Sequence, residues 1–140
     1  MKKSVLVAAL LALVLSACGP NVQDAKKVPD VKKMDPSNPL VSVVGGKIDI
    51  NQDTIRFGKD KQNVKITWQL PSDSKYTFPK DGIVINDAGD EFPDCQVEPN
   101  DKGLKFSCKN KHSKPGKYKY TIKVEGSPVV PPLDPIIEND

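Results

Sequence analysis

The sequence predicts an all-β protein, a single small antiparallel β-sandwich that is held by one disulfide. Three observations support this prediction. Between residues 40 and 126, apolar and polar side chains alternate in short runs, which is the pattern of half-buried strands. Turn signals rich in Gly, Pro and Asp separate these runs, and no capped helical stretch of useful length interrupts them. Two of the three cysteines lie within this region, which is enough for one bridge.

Length and composition limit the chain to one domain. It has 140 residues, of which 37% are hydrophobic and 28% charged, and it contains 13 prolines. These values exclude a polytopic membrane protein or a coiled coil, and they suit a modest globular core with disordered ends. We divide the chain into a signal peptide at 1–17, a lipidated cysteine with a disordered tether at 18–39, a β-sandwich domain at 40–126 and a proline-rich tail at 127–140.

The N-terminus has the pattern of a removable leader. Lys2 and Lys3 precede an uncharged run at 5–17, which is too short for a membrane-spanning helix of about 20 residues. Cys18 follows this run directly. The four residues that end at Cys18, L-S-A-C, resemble the lipobox of bacterial lipoproteins. The resemblance implies that the chain is cleaved before Cys18, that the sulfur carries a diacylglycerol, and that acyl chains hold the protein in a membrane.

The residues after the cysteine indicate a destination and a spacer. Gly19 stands where many inner-membrane lipoproteins carry Asp, so the resemblance implies the outer membrane, with the protein facing the periplasm. Residues 19–39 hold four prolines and seven charges. Such a composition cannot bury enough apolar surface to offset the entropy of ordering the chain. We expect a flexible tether with a span of about 25 Å, in which Met34 is solvated.

Two strands are the clearest of the domain. Residues 63–70 place four apolar side chains, Trp68 among them, on one face, and residues 117–124 do the same with two tyrosines. Shorter strands are predicted at Val41–Val44, Lys47–Ile50, Thr54–Phe57, Ile83–Ile85 and 104–108.

The tail at 127–140 has four prolines within eight residues. This density favours polyproline II structure and disfavours a central strand. Two interpretations stay open: a frayed terminus, or an extended peptide that docks into the groove of a partner.

Cys95 and Cys108 are the cysteines of the predicted disulfide, because an even remainder in an exported protein indicates a bridge. If residues 100–103 form a four-residue turn, the numbers of opposed residues add to 203, so that Cys95 faces Cys108 and Glu98 faces Lys105. We expect the bond to lie toward the core and to stabilise the domain by about 3 kcal/mol. A redox-active pair is the alternative, although the spacing is not that of a C-x-x-C motif.

Two stretches resemble the cupredoxins, which are small copper-binding β-sandwiches. Residues 64–68 read V-K-I-T-W and resemble the V-x-I-x-W strand of that family, and Cys108 with His112 resembles its late copper loop. The resemblance implies a cupredoxin-like sandwich; an immunoglobulin-like one is the other candidate. A blue-copper centre needs two His and one Cys, whereas this chain has a single His. We therefore predict no metal site and no cofactor, and we expect His112 to be a surface imidazole.

Charge is divided along the domain. Residues 81–101 contain seven acids and no base, and residues 102–123 contain eight lysines and no acid. The first interpretation is that these are outward faces of neighbouring strands, paired across the ladder. The second is a basic surface for anionic envelope polymers or lipid head groups. Its loop tip would consist of Lys109, Lys111, His112 and Lys114.

These observations predict a lipid-anchored cell-envelope protein that serves as a non-catalytic binding or structural module. Its expected partners are the membrane, through the lipid on Cys18, and an envelope protein or an anionic envelope polymer; nucleic acid is not expected. An enzyme is not expected because the sequence offers no plausible Ser/His/acid or Cys/His set and no nucleotide-binding loop. The alternative function is that of a metal-handling accessory protein with a degenerate cupredoxin-like fold.

Overall fold

The computed structural model describes residues 34–140, and this part of the chain contains nine strands and no helix. It therefore contains no helix that could cross a bilayer. Cys18, the signal peptide and the tether up to residue 33 lie outside the described residues. The strands are β1 (Val41–Val44), β2 (Lys47–Ile50), β3 (Thr54–Phe57), β4 (Val64–Gln69), β5 (Ile83–Ile85), β6 (Gln96–Val97), β7 (Lys105–Asn110), β8 (Gly116–Ile122) and β9 (Ile136–Asn139).

The strands form three sheets in a sandwich-like arrangement. One is the β1–β2 hairpin, the second has the order β3-β9-β8-β5, and the third has the order β4-β7-β6. All strand pairs are antiparallel except β3 and β9, which run parallel at one edge of the four-stranded sheet. The predicted all-β sandwich is confirmed, with this one parallel pairing added to it.

Most strand positions follow the alternation that predicted them. The bounds of β1, β2, β3 and β5 agree with the prediction, and those of β4, β7 and β8 differ by one or two residues. In β4 the buried residues Ile66 and Trp68 alternate with the more exposed Lys65 and Thr67. The alternation therefore marks which face of the strand packs against the core.

Side chains from both larger sheets and from the hairpin build one core. At its centre Trp68 of β4 and Tyr120 of β8 are fully buried, with ring centroids 5.5 Å apart. The indole Nε1–H of Trp68 donates a hydrogen bond of 3.3 Å to the hydroxyl of Tyr120. Burial raises the pKa of Tyr120, so this hydroxyl remains protonated. Since the two rings belong to different sheets, their contact fastens the sheets together.

The prediction of a frayed tail is wrong. The last strand, β9, lies between β3 and β8 in the middle of the four-stranded sheet, and Ile137 is fully buried. Leu133 also exchanges two main-chain hydrogen bonds with Ile122. The prolines precede the strand instead of interrupting it, since Pro135 is the last of them and β9 begins at the next residue. Because of these prolines, the predicted β-sandwich domain ended at residue 126, before β9.

The end of the predicted tether also belongs to the folded domain. Pro39 is fully buried, and the main-chain oxygens of Ser37 and Pro39 accept hydrogen bonds from the N–H groups of Thr67 and Gln69. The side chain of Gln52 donates to the main-chain oxygen of Asp35 at 2.8 Å. The segment from 35 to 40 thus covers part of the free edge of β4, while Met34 is half exposed at 51%.

The predicted hairpin and disulfide are confirmed. Val97 pairs with Phe106 in the register that adds to 203, and the bond joins Cys95 to Cys108 with Cα atoms 4.1 Å apart. Its expected burial holds for one end only, because Cys108 is fully buried whereas Cys95 is exposed. Cys95 lies just before the short strand β6, at the margin of the sheet.

We expect the disulfide to contribute about 3 kcal/mol to the free energy of unfolding, because it closes a loop with a sequence separation of 13 residues. Urea unfolding of the oxidised and the dithiothreitol-reduced chain measures the difference. The Cys95→Ala/Cys108→Ala variant is the matched control and should resemble the reduced chain. Equal stability of the oxidised and reduced forms would contradict this expectation.

A close contact between Gly126 and Tyr76 fixes the chain shortly after the end of β8. Gly126 packs against the ring of Tyr76, whose hydroxyl donates to the main-chain oxygen of Pro128 at 2.8 Å. A Cβ added at Gly126 would lie 2.8 Å from Cε1 of that ring and closer still to Cδ1. Only glycine leaves room for Tyr76 at this point, so the ring sets the course of the connection to β9.

The Gly126→Ala substitution should therefore lower the free energy of unfolding by about 1–3 kcal/mol, which is the usual cost of overpacking. The control is Gly116→Ala, whose Cβ would meet its nearest atom, the hydroxyl oxygen of Tyr118, at 3.4 Å. We expect the control to stay within about 1 kcal/mol of the parent chain. Thermal and urea unfolding of both variants test this, and an equal loss in the two would disprove the role of Tyr76.

Candidate functional site

The expected basic loop tip does not form as one exposed surface. Lys111 binds the carboxylate of Asp90 at 2.9 Å, and Lys109 is half-buried on β7. His112 is 6% exposed, so the prediction of a surface imidazole is wrong. Lys114 remains exposed in the loop between β7 and β8. These four residues therefore face different surroundings.

His112 holds three segments of the chain together. Its Nδ1 lies 2.8 Å from the main-chain oxygen of Lys61, and its Nε2 lies 3.0 Å from that of Asp140. Its main-chain N–H donates to the side chain of Asn110, which also exchanges two hydrogen bonds with the amide of Asn139. The imidazole thus closes one end of the domain, a structural role that explains its burial.

The cysteine and histidine that resemble the copper loop are both engaged elsewhere. The sulfur of Cys108 is bonded to Cys95, and both ring nitrogens of His112 face main-chain oxygens. Within residues 34–140 no group of three or more His, Cys, Asp and Glu side chains is placed to hold a metal ion. The geometry therefore lends the metal-handling alternative no ligand set in this part of the chain.

The acidic and basic segments pair with one another. Lys105 binds Asp101 at 2.9 Å. Besides the Lys111–Asp90 pair, Lys123 binds Asp81 at 2.7 Å. Hydrogen bonds from these lysines hold the pKa values of Asp81 and Asp90 below their usual value. The two segments thus neutralise each other in part, as the first interpretation holds, but the acids of these pairs lie in turns and not on strand faces.

The most distinctive surface is the outward side of the three-stranded sheet, which we call the polar face. The registers of β4 with β7 and of β6 with β7 arrange its side chains in three rows across the strands. Its members are Lys65, Thr67 and Gln69 of β4, Lys105, Ser107 and Lys109 of β7, and Asp94, Gln96 and Glu98 in and beside β6. Polar groups thus occupy every outward position of this sheet.

Glu98 is at the centre of the hydrogen bonds on the polar face. The hydroxyl of Ser107 donates to its carboxylate at 2.5 Å, and the ammonium of Lys65 forms an ion pair with the same oxygen. The main chains of Glu98 and Lys105 pair as predicted, with an N–H to oxygen distance of 2.9 Å, but Lys105 directs its ammonium to Asp101. Lys65 and Ser107 hold the pKa of Glu98 below its usual value.

Two cavities adjoin each other on the polar face. The larger, of about 370 Å³, is lined by residues that include Asn63, Asp94 and Gln96, and the smaller, of about 290 Å³, by residues that include Thr67 and Gln69. Both are lined by Lys65, whereas Glu98 lines only the smaller one. The first falls within the size range of small-ligand sites, and the second lies just below it.

Ser107 and Glu98 are not arranged as a nucleophile and its general base. Ser107 is 2% exposed, and its hydroxyl proton points to a carboxylate whose pKa is lowered, which makes Glu98 a weak base. A general base works best when its pKa lies near the operating pH. The Ser107–Glu98 bond therefore satisfies a buried hydroxyl and orients the carboxylate.

Sequence reasoning missed most of the polar face. The outward position of Thr67 and Lys65 follows from the alternation in β4, and the register of the hairpin already placed Glu98 beside Lys105. No local sequence pattern predicts the pairing of β4 with β7, because it joins segments about 40 residues apart along the chain. That pairing brings Lys65 to Glu98.

No protein-family model matches the chain, and no curated protein matches its sequence.

We expect Lys65 and Glu98 to be coupled at neutral pH and uncoupled in acid. The folded state lowers the pKa of Glu98, so the stabilising contribution is complete above the unfolded value of about 4.3 and is lost as the pH falls through the folded one. A double-mutant cycle of Lys65→Met and Glu98→Gln measures the coupling. It should be about 0.5–1 kcal/mol at pH 7, since Lys65 is well exposed, and should decrease as the pH falls and Glu98 takes up its proton. A coupling that persists unchanged in acid would contradict this assignment.

Proposed function

We propose that the chain is a lipid-anchored protein of the bacterial cell envelope, whose folded domain is a non-catalytic binding module that presents the polar face to another envelope component. The location rests on the resemblance of the segment ending at Cys18 to a lipobox, which predicts acylation, and on Gly19, which favours the outer membrane with the domain in the periplasm. The presence of a disulfide supports export, because such bonds persist in oxidising compartments.

The observation that carries the binding role is the fixed arrangement of the polar face. Its nine outward positions lie on three paired strands, and the disulfide braces the end of β6 against β7. Side chains on a rigid sheet keep their spacing, so a partner that matches it loses little entropy in ordering the site. The polar contacts of Ser107 and Glu98 further fix the side chains at the centre.

The anchor is tested in cells that express the full chain and a Cys18→Ala variant. The parent chain should incorporate an alkyne analogue of palmitate and sediment with the outer membrane, and the variant should lose the label and leave the membrane fraction. Cys95→Ala serves as the control, because it removes a different cysteine and should keep the label. An unlabelled parent chain that is freely secreted would disprove the anchor.

The same cells test the binding role. A photocrosslinking amino acid at Gln96, which is exposed on the polar face, should capture one envelope component repeatedly. The matched position is Asn86, which is exposed beside β5 on the other large sheet and should capture little. Equal capture at the two positions, or none at Gln96, would remove the polar face from the proposal.

A further inference from the structure

We infer that the ligand of the polar face is a neutral glycan chain, bound by hydrogen bonds from amide and hydroxyl side chains. This inference rests on the proposed function, since it names the chemical class of partner for the same surface. Three features of the polar face lead to it: its paired lysines, its hydrogen-bonding groups and the shape of its two cavities.

Two of the three lysines on the polar face are held in ion pairs. Lys65 is paired with Glu98, and Lys105 is paired with Asp101 at 2.9 Å. The remaining lysine, Lys109, lies opposite Asp94 in the register that adds to 203, and its main-chain N–H donates to the main-chain oxygen of Pro93 at 2.9 Å. A polyanion would have to separate these pairs to use the ammonium groups, which costs part of what it gains. A neutral ligand can bind without separating them.

The other groups on the face match hydroxyls. The amide of Gln96 supplies donors and an acceptor, and so does the amide of Asn63 at the rim. Gln69 adds its amide oxygen and its second N–H, since the first donates to the side chain of Asn38 at 3.2 Å. Sugar hydroxyls likewise donate and accept, so each amide can form paired hydrogen bonds with them. The half-buried Thr67, which lines the smaller cavity, adds a hydroxyl that can both donate and accept.

A peptide is the less suitable occupant of this face. The central strand β7 is paired on both sides, with β4 and with β6, so its main chain has no free edge to which an extended peptide could add. Recognition at this face must therefore use side chains alone. A peptide could instead add at an outer strand edge, which is a different location and is distinguished by experiment.

The shape of the site indicates a ligand with repeated units. Two polar cavities of about 370 and 290 Å³ lie side by side and share Lys65. Neither is lined by an aromatic side chain, so binding depends on hydrogen bonds without ring stacking. We expect successive sugar rings to occupy the two cavities, with a dissociation constant on the order of 1 mM.

The test is an NMR titration of the ¹⁵N-labelled mature chain, in a zwitterionic detergent that contains no sugar. The probe is hexa-N-acetylchitohexaose, a neutral oligosaccharide. Saturating shifts are expected at the side-chain amide of Gln96 and at the main-chain N–H groups of Lys65 and Ser107. The Gln96→Ala variant should bind about five to ten times more weakly, the usual loss for about one hydrogen bond. Asn86→Ala removes an exposed amide from the other sheet and should bind as the parent chain does.

Three results would overturn the inference. The first is the absence of a saturating shift up to about 20 mM glycan, a concentration at which a site of millimolar affinity would be nearly filled. The second is a set of shifts confined to residues outside the polar face, and the third is stronger binding to polyphosphate or to an unstructured peptide than to the glycan. None of them bears on the membrane anchor. A chain that is labelled at Cys18 and crosslinks a protein from Gln96, but ignores the glycan, would keep the proposed function and lose this inference.

Discussion

Strand β7 carries the constraint on which the rest of the structure depends, because both its edges and both its faces are committed. It pairs with β4 on one side and with β6 on the other. Its inward side chains include Phe106 and Cys108, and its outward Ser107 is nearly as buried as they are. A hydroxyl at this depth needs a partner, which Glu98 of the neighbouring chain segment supplies. The charged carboxylate of Glu98 in turn needs a nearby cation, and the ammonium of Lys65 on β4 provides it.

The two sheets are joined by one apolar and one polar set of contacts. Trp68 and Tyr120 are in contact in the core. At one end of the domain, two hydrogen bonds between the side-chain amides of Asn110 and Asn139 link β7 to β9. His112 extends this polar end to the segments at Lys61 and Asp140. Buried amides and an imidazole of this kind are tolerated because every one of them has a partner. These contacts hold the two larger sheets against each other at the centre of the core and at one end of the domain.

Local sequence patterns predicted most strands and the register of the disulfide. They did not predict features that depend on contacts between distant segments of the chain. Period two placed four strands at their observed bounds, and one assumed turn placed Val97 opposite Phe106. The role of β9 was missed because prolines dominate the preceding residues and because its four residues, I-I-E-N, do not alternate between apolar and polar; only their burial alternates as in a strand. The burial of His112 could not be read from its lysine-rich neighbours, since its partners are main-chain oxygens from the β3–β4 loop and from the residue after β9. Main-chain partners leave no trace in residue identity.

The proposed anchor and the proposed weak site support each other in physical terms. A face that offers amides and hydroxyls, with two of its three lysines already paired, gains little from each hydrogen bond, because the same groups are well solvated before binding. A single copy in solution would therefore release its ligand quickly. Copies confined to a membrane beside a polymer with repeated units bind at high effective concentration, so individually weak contacts add. A site without aromatic rings is thus adequate for a module that is held next to its ligand, whereas a freely diffusing protein of the same affinity would need a deeper pocket.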